Sequence, residues 1–106
     1  MKKILTATVV PVVMLLAGAQ AHADALELAK KSGCMACHAV DKKVVGPSWN
    51  DVSDKYKGDA TAKDTLVASI TNGSRGKWGN VPMPAQKRVT AEEAATLADF
   101  IISLKK

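Results

Sequence analysis

The sequence predicts an all-α fold, a single small domain of about four helices. Three observations carry that prediction. Apolar residues recur at helical spacing in several segments, and no stretch alternates strictly enough to read as a strand. Helix start and stop chemistry brackets those segments, with Thr90 and Glu93 at capping-box spacing and glycines at positions 33 and 73. The only two cysteines stand in Cys34-Met35-Ala36-Cys37-His38, a pattern that fixes a flat apolar group to a short chain and completes its core.

The first 23 residues read as a cleaved secretory signal peptide. Lys2 and Lys3 form a positive start, Ile4 to Ala17 is an uncharged and mostly apolar run, and Ala21-His22-Ala23 is an A-x-A cleavage site. The run is too short for a membrane span and contains Pro11. No second apolar stretch follows, so the expected product, residues 24–106, is exported to the periplasm without stable membrane insertion. Its 83 of 106 residues make one domain, too small to be stable on an ordinary core alone.

Lysine and arginine total 15 against 10 acidic residues; without Lys2 and Lys3 the count is 13 against 10. That mild excess has no basic block long enough to follow a phosphate backbone, so it does not argue for nucleic acid and no such partner is expected. It does suit steering toward an acidic protein.

The elements follow in order. A first helix is expected over residues 25–32, with Asp24 as N-cap, Leu26 and Ala29 on one side, Leu28 nearby, and Gly33 just past its end. A loop over residues 39–46 leads to Pro47 and a short helix over residues 48–56, on which Trp49, Val52 and Tyr56 share a face. Lys57-Gly58-Asp59 is a turn. A third helix spans about residues 61–72, with Leu66, Val67 and Ile70 as its stripe and Gly73 as its stop. Residues 74–86 form an irregular loop with two glycines and two prolines. Loops of that length are usually functional or disordered, and Trp78, Val81 and Met83, all able to be buried, argue against disorder. The last helix starts at the Thr90 capping box and carries Ala94, Leu97, Ala98, Ile101 and Leu104, widened by Phe100 and Ile102. Lys105 and Lys106 suit the negative end of its dipole. Its stripe is expected to pack on the first helix.

The C-x-x-C-H spacing has a chemical reason. Each thiol adds to one vinyl group of a porphyrin, and two intervening residues let both sulfurs reach the same side of the ring. His38 is then placed beneath the iron, where a neutral imidazole binds it. The competing readings are a local disulfide, a zinc site and a redox dithiol. Zinc lacks further Cys or His partners in residues 24–106, and the βαβ pattern that frames a redox dithiol is not visible.

The second iron ligand decides the chemistry. His22 leaves with the signal, and Met35 lies inside the attachment loop on the His38 side. Met83 is the remaining thioether, bracketed as Pro82-Met83-Pro84, where proline stiffens the loop and pushes Met83 toward an extended backbone. The alternatives are a core-filling methionine, with a lysine or an open site at the iron. Histidine–methionine ligation raises the reduction potential and closes the iron to other molecules, which describes a one-electron carrier.

The residues 24–106 resemble the short bacterial class I cytochromes c of the c-551 type. The segments that carry the likeness are Gly33 to Ala39, Val45-Gly46-Pro47-Ser48, Asn72-Gly73-Ser74, and Trp78-Gly79-Asn80-Val81-Pro82-Met83-Pro84. Their order and spacing match over nearly the whole mature chain, and the last loop is the most specific. The resemblance implies one haem c joined to Cys34 and Cys37, with His38 and Met83 as axial iron ligands. It implies that the Pro47 carbonyl accepts a hydrogen bond from the free nitrogen of His38, and that the Trp78 indole donates to a haem propionate. Two positions depart from the pattern: Ser69 stands where relatives often carry a propionate-pairing base, and Gln86 where an asparagine often touches the methionine. Arg75 or Lys77 could substitute, or be solvated loop charges.

The expected function is that of a monomeric periplasmic monohaem electron carrier and not an enzyme. Its expected partners are redox proteins docking at the haem edge: a membrane cytochrome c reductase as donor, and a nitrite reductase, oxidase or cytochrome c peroxidase as acceptor. Lys30, Lys31, Lys42, Lys43, Lys77 and Lys87 are the candidate docking charges, each also readable as a solvated surface lysine. The competing functions are a haem enzyme or gas sensor with an open sixth iron site, and a haem-free thiol protein.

Overall fold

The computed structural model describes residues 6, 8 and 14–104, with the side chains of 14–20 excepted. Lys2, Lys3, most of the apolar run after them, and Lys105 and Lys106 lie outside the described residues. Four α-helices follow one another: α1 (Met14–Lys31), α2 (Trp49–Lys55), α3 (Ala62–Asn72) and α4 (Ala91–Ser103). A 3-10 turn over Cys34–Ala36 separates α1 from the loop before α2. Among the described residues there is no β-strand, only two isolated antiparallel bridges, His38 with Lys43 and Ser74 with Met83.

α4 is the hub and packs on α1, α2 and α3. Its start is the capping box expected from sequence: Thr90 Oγ1 accepts from Glu93 N at 3.1 Å, and Glu93 returns Oε1 to Thr90 N at 3.0 Å. Ala94, Leu97, Ala98, Phe100 and Ile101 are buried, whereas Ile102 is exposed and does not widen the apolar face. Alanines meet the α1 side as well, where Ala25 and Ala29 are the fully buried residues and Leu26 and Leu28 pack at the edge. Small side chains at the contact let helix axes approach closely.

The first helix begins earlier than expected. Asp24 lies inside α1 and not at its N-cap. Alanine has the highest helix propensity, and Ala17, Ala19, Ala21, Ala23 and Ala25 flank a single unfavourable Gly18, so the helix runs through the aspartate. The His22 ring meets Phe100 edge-on at 5.5 Å, and its Nε2 lies 3.1 Å from Ser103 Oγ.

The ends of α2 and α3 match the expected turns. Ser48 caps α2, its Oγ accepting from Asp51 N at 3.1 Å, and buries Trp49 and Val52. On α3 the buried stripe is Ala62, Leu66 and Ile70; Val67 packs at its edge. Gly73 ends that helix with φ 84°. In the loop that follows, Trp78 is 40% exposed and Val81 63% exposed. They line a cleft and do not enter the helical core. No helix among the described residues is long and apolar enough to cross a membrane.

Candidate functional site

The attachment segment is shaped by Gly33. Its φ of 81° lies in the left-handed region that glycine tolerates, and it turns the chain out of α1 into the 3-10 turn. Two backbone bonds then converge on Cys34 O, from Cys37 N at 3.2 Å and His38 N at 3.0 Å. Both thiols are therefore held on one tight turn, half-buried and unbridged. Burial pushes the Cys34 thiol up from its ordinary pKa; a backbone hydrogen bond partly offsets this, and the neighbouring Cys37 adds to it. Redox dithiols are activated in the opposite direction, so this environment disfavours that reading.

His38 is fixed from three sides. Its Nδ1 lies 2.8 Å from Pro47 O. A carbonyl only accepts, so Nδ1 carries the proton and Nε2 keeps the lone pair available to a metal. The ring stacks on Trp49 at 5.8 Å, and buried Trp49 stands edge-on to Phe100 at 5.9 Å. Gly46 closes the third side. Cys37 O accepts from Val45 N and Gly46 N, which folds the loop back over the imidazole. A Cβ at position 46 would lie 2.7 Å from His38 Cε1, so the position needs glycine for space.

Met83 sits on a second anchored segment. Ser74 and Met83 exchange backbone hydrogen bonds of 2.9 and 2.8 Å, pinching the loop at its base. Gly73 makes this approach possible, because a Cβ there would lie 2.8 Å from Met83 O, in addition to the positive φ. Downstream, Gln86 N donates to Ile70 O and Gln86 Nε2 to Pro84 O, both at 2.8 Å. The Gln86 side chain thus braces the Pro84 backbone.

These two segments face each other across one cleft of about 240 Å³. That is far larger than the gap of roughly 10–15 Å³ that admits a single water. Cys34, Cys37, His38, Pro47, Trp78 and Met83, the six residues singled out from the sequence, all line it. Tyr56, Leu66, Ile70 and Ile101 supply apolar wall. A smaller cavity of about 30 Å³ is shared by Cys34, His38 and Met83 with Trp49, Ile70, Leu97 and Ile101. Two thiols, one imidazole with a free Nε2, one thioether and an apolar surround form a donor set that fits a covalently attached haem. Gly46 and Gly73 owe their roles to close approach across the fold. The sequence quoted both glycines but not the atoms they make room for.

Comparison with known proteins identifies the family. A profile of the family Cytochrome c matches residues 22–105. Cytochrome c-551 of Allochromatium vinosum is 48% identical over 79 residues, covering 74% of this chain and 84% of that protein. Cytochrome c-552 of Nitrosomonas europaea is 46% identical over 91 residues, covering 86% and 87%. The crystal structure of wild-type Nitrosomonas europaea cytochrome c552 superposes with a TM-score of 0.74 at 45% identity, over 76% of this chain and 99% of that one.

Proposed function

Because this chain belongs to the cytochrome c family, as a class I member of the c-551 type with haem c as its cofactor, we propose that it is a periplasmic one-electron carrier. In this reading Cys34 and Cys37 would hold the haem through thioethers, and His38 Nε2 and Met83 Sδ would hold its iron. The haem supplies a metal that changes charge by one electron. The residues do the rest: Pro47 orients and enriches the imidazole, and the Ser74–Met83 pair holds the sulfur's backbone in place. Trp78 would donate its indole N–H to a propionate, and the apolar wall would exclude water. With His38 and Met83 both holding the iron, no position would remain for a substrate, which favours a carrier over an enzyme or a gas sensor.

The observation that carries this reading is the placement of His38 and Met83 on one cleft, with the Nδ1 of His38 already committed to Pro47. The mature protein is residues 24–106 after removal of the signal, and it works as a monomer. Its partners are redox proteins: a membrane cytochrome c reductase as donor, and a nitrite reductase, oxidase or cytochrome c peroxidase as acceptor. Docking is at the cleft mouth, where exposed Val45, Trp78 and Val81 lie with Lys43 and Lys77.

The test is optical. The oxidised protein should show the weak near-infrared charge-transfer band of sulfur–iron ligation, Met83→Ala should lose it, and only the variant should bind carbon monoxide rapidly when reduced. A wild type without the band that takes carbon monoxide at once would overturn the reading. Steering by the surface lysines requires the transfer rate to fall as salt rises; a flat profile would remove it.

A further inference from the structure

Lys55 belongs to the last turn of α2, yet its ammonium reaches the loop that carries Trp78. Nζ stands 4.5 Å from the centroid of the Trp78 ring and 3.2 Å from Lys77 O. The Tyr56 ring is farther, at 5.9 Å. Tryptophan presents the strongest negative face of any side chain, and 4.5 Å is well inside the range of cation–π attraction. One ammonium thus grips two consecutive residues, the backbone of the first and the ring of the second. Trp78 is 40% exposed, so the ammonium is a substantial part of what holds its ring.

We propose that Lys55 is a positioning residue, which sets the plane of the Trp78 indole and thereby aims its N–H at a haem carboxylate. The inference rests on the reading that the cleft holds haem with Trp78 at its rim. A cation over the ring also draws density from it and makes the N–H a stronger donor. The ammonium further adds a positive charge beside the loop that lines the cleft, to which Ser69 contributes none. Both effects favour the reduced, less positive iron. A lysine in the last turn of a helix also complements the helix dipole, but that role would leave Trp78 untouched.

The chain has only two tryptophans, so Trp49 serves as an internal control. The experiment compares haem-loaded wild type, Lys55→Met and Lys55→Arg. Lys55 is exposed and methionine keeps most of its stem, so the fold should survive; circular dichroism checks this. Hydrogen exchange of each indole N–H is followed by nuclear magnetic resonance, and the reduction potential by voltammetry at low and high salt. Lys55→Met should exchange the Trp78 N–H about two- to fivefold faster, the size expected for an exposed cation–π contact. Trp49 should be unchanged, the potential should fall, and the fall should shrink in salt. Lys55→Arg should restore both. Unchanged Trp78 exchange and potential in Lys55→Met would overturn the proposal, as would equal acceleration at both tryptophans. Absence of covalent haem from the wild type would sink the functional reading and the carboxylate half of this one. The exchange comparison would still decide whether the lysine holds the ring.

Discussion

Replacing Gly46 by alanine tests how tightly the imidazole is held. Position 46 is not among the positive-φ glycines, so alanine meets no backbone penalty there and the effect is steric. The added Cβ would stand 2.7 Å from His38 Cε1, 3.1 Å from Nδ1 and 3.3 Å from Nε2. Ordinary contact begins at 3.4 Å, so ring and loop must separate by 0.7 Å, the difference of those values. The ring has no slack: Trp49 stacks on it, and Pro47 O holds Nδ1 at 2.8 Å. Retreat by that amount carries the hydrogen bond toward 3.5 Å, where it is lost. Overpacking costs about 1–3 kcal/mol and the lost bond about 1 kcal/mol, for a total of roughly 2–4 kcal/mol. With a urea slope of about 1–3 kcal/mol per molar, the midpoint should drop by roughly 1 M or more. The reduction potential should rise, because an imidazole without its acceptor donates less charge to the iron. A Gly46→Ala protein with wild-type midpoint and potential would show that the loop yields freely and the reasoning is wrong.

Two further outcomes are expected elsewhere. Ser53 Oγ lies 2.7 Å from Leu104 O and 3.1 Å from Ile102 O, tying α2 to the end of α4; Ser53→Ala should cost about 1 kcal/mol in urea unfolding. The Asp59 carboxylate is held below its usual range by hydrogen bonds from the Thr61 side chain and Thr61 N. A lowered folded value means its stabilisation is present above the ordinary carboxylate pKa and fades as pH falls through the folded one. The midpoint difference between wild type and Asp59→Asn should therefore be small at neutral pH and vanish in acid.

What the sequence made legible was local. The Thr90 capping box and the glycine stop at 73 involve residues within about one helical turn, and each acts where the pattern places it. The start of α1 was not legible, because a cleavage-site signal and an alanine run occupy the same residues, and helix propensity is indifferent to processing. Where Trp78 and Val81 would go was not legible for a related reason: apolar character says that a residue seeks cover, not which surface provides it. Four cleft residues, Cys34, Cys37, His38 and Met83, were legible through chemistry, since thiol spacing and the scarcity of thioethers constrain them; Pro47 and Trp78 came only from the family resemblance. The neighbours that fix their geometry were not legible. Lys55 reaches Trp78 across 23 positions, and Gly46 matters through the ring of a residue eight positions away, separations that no periodicity encodes.

Proton resonance of the reduced, haem-loaded protein tests axial ligation most directly. A methyl group held over a porphyrin face is shielded by its ring current. Wild type should show one three-proton signal far upfield of all ordinary methyls, and Met83→Ala should lack it. A wild type without that signal, or a Met83→Ala protein that keeps it, would contradict sulfur ligation by Met83 and the closed-iron carrier built on it.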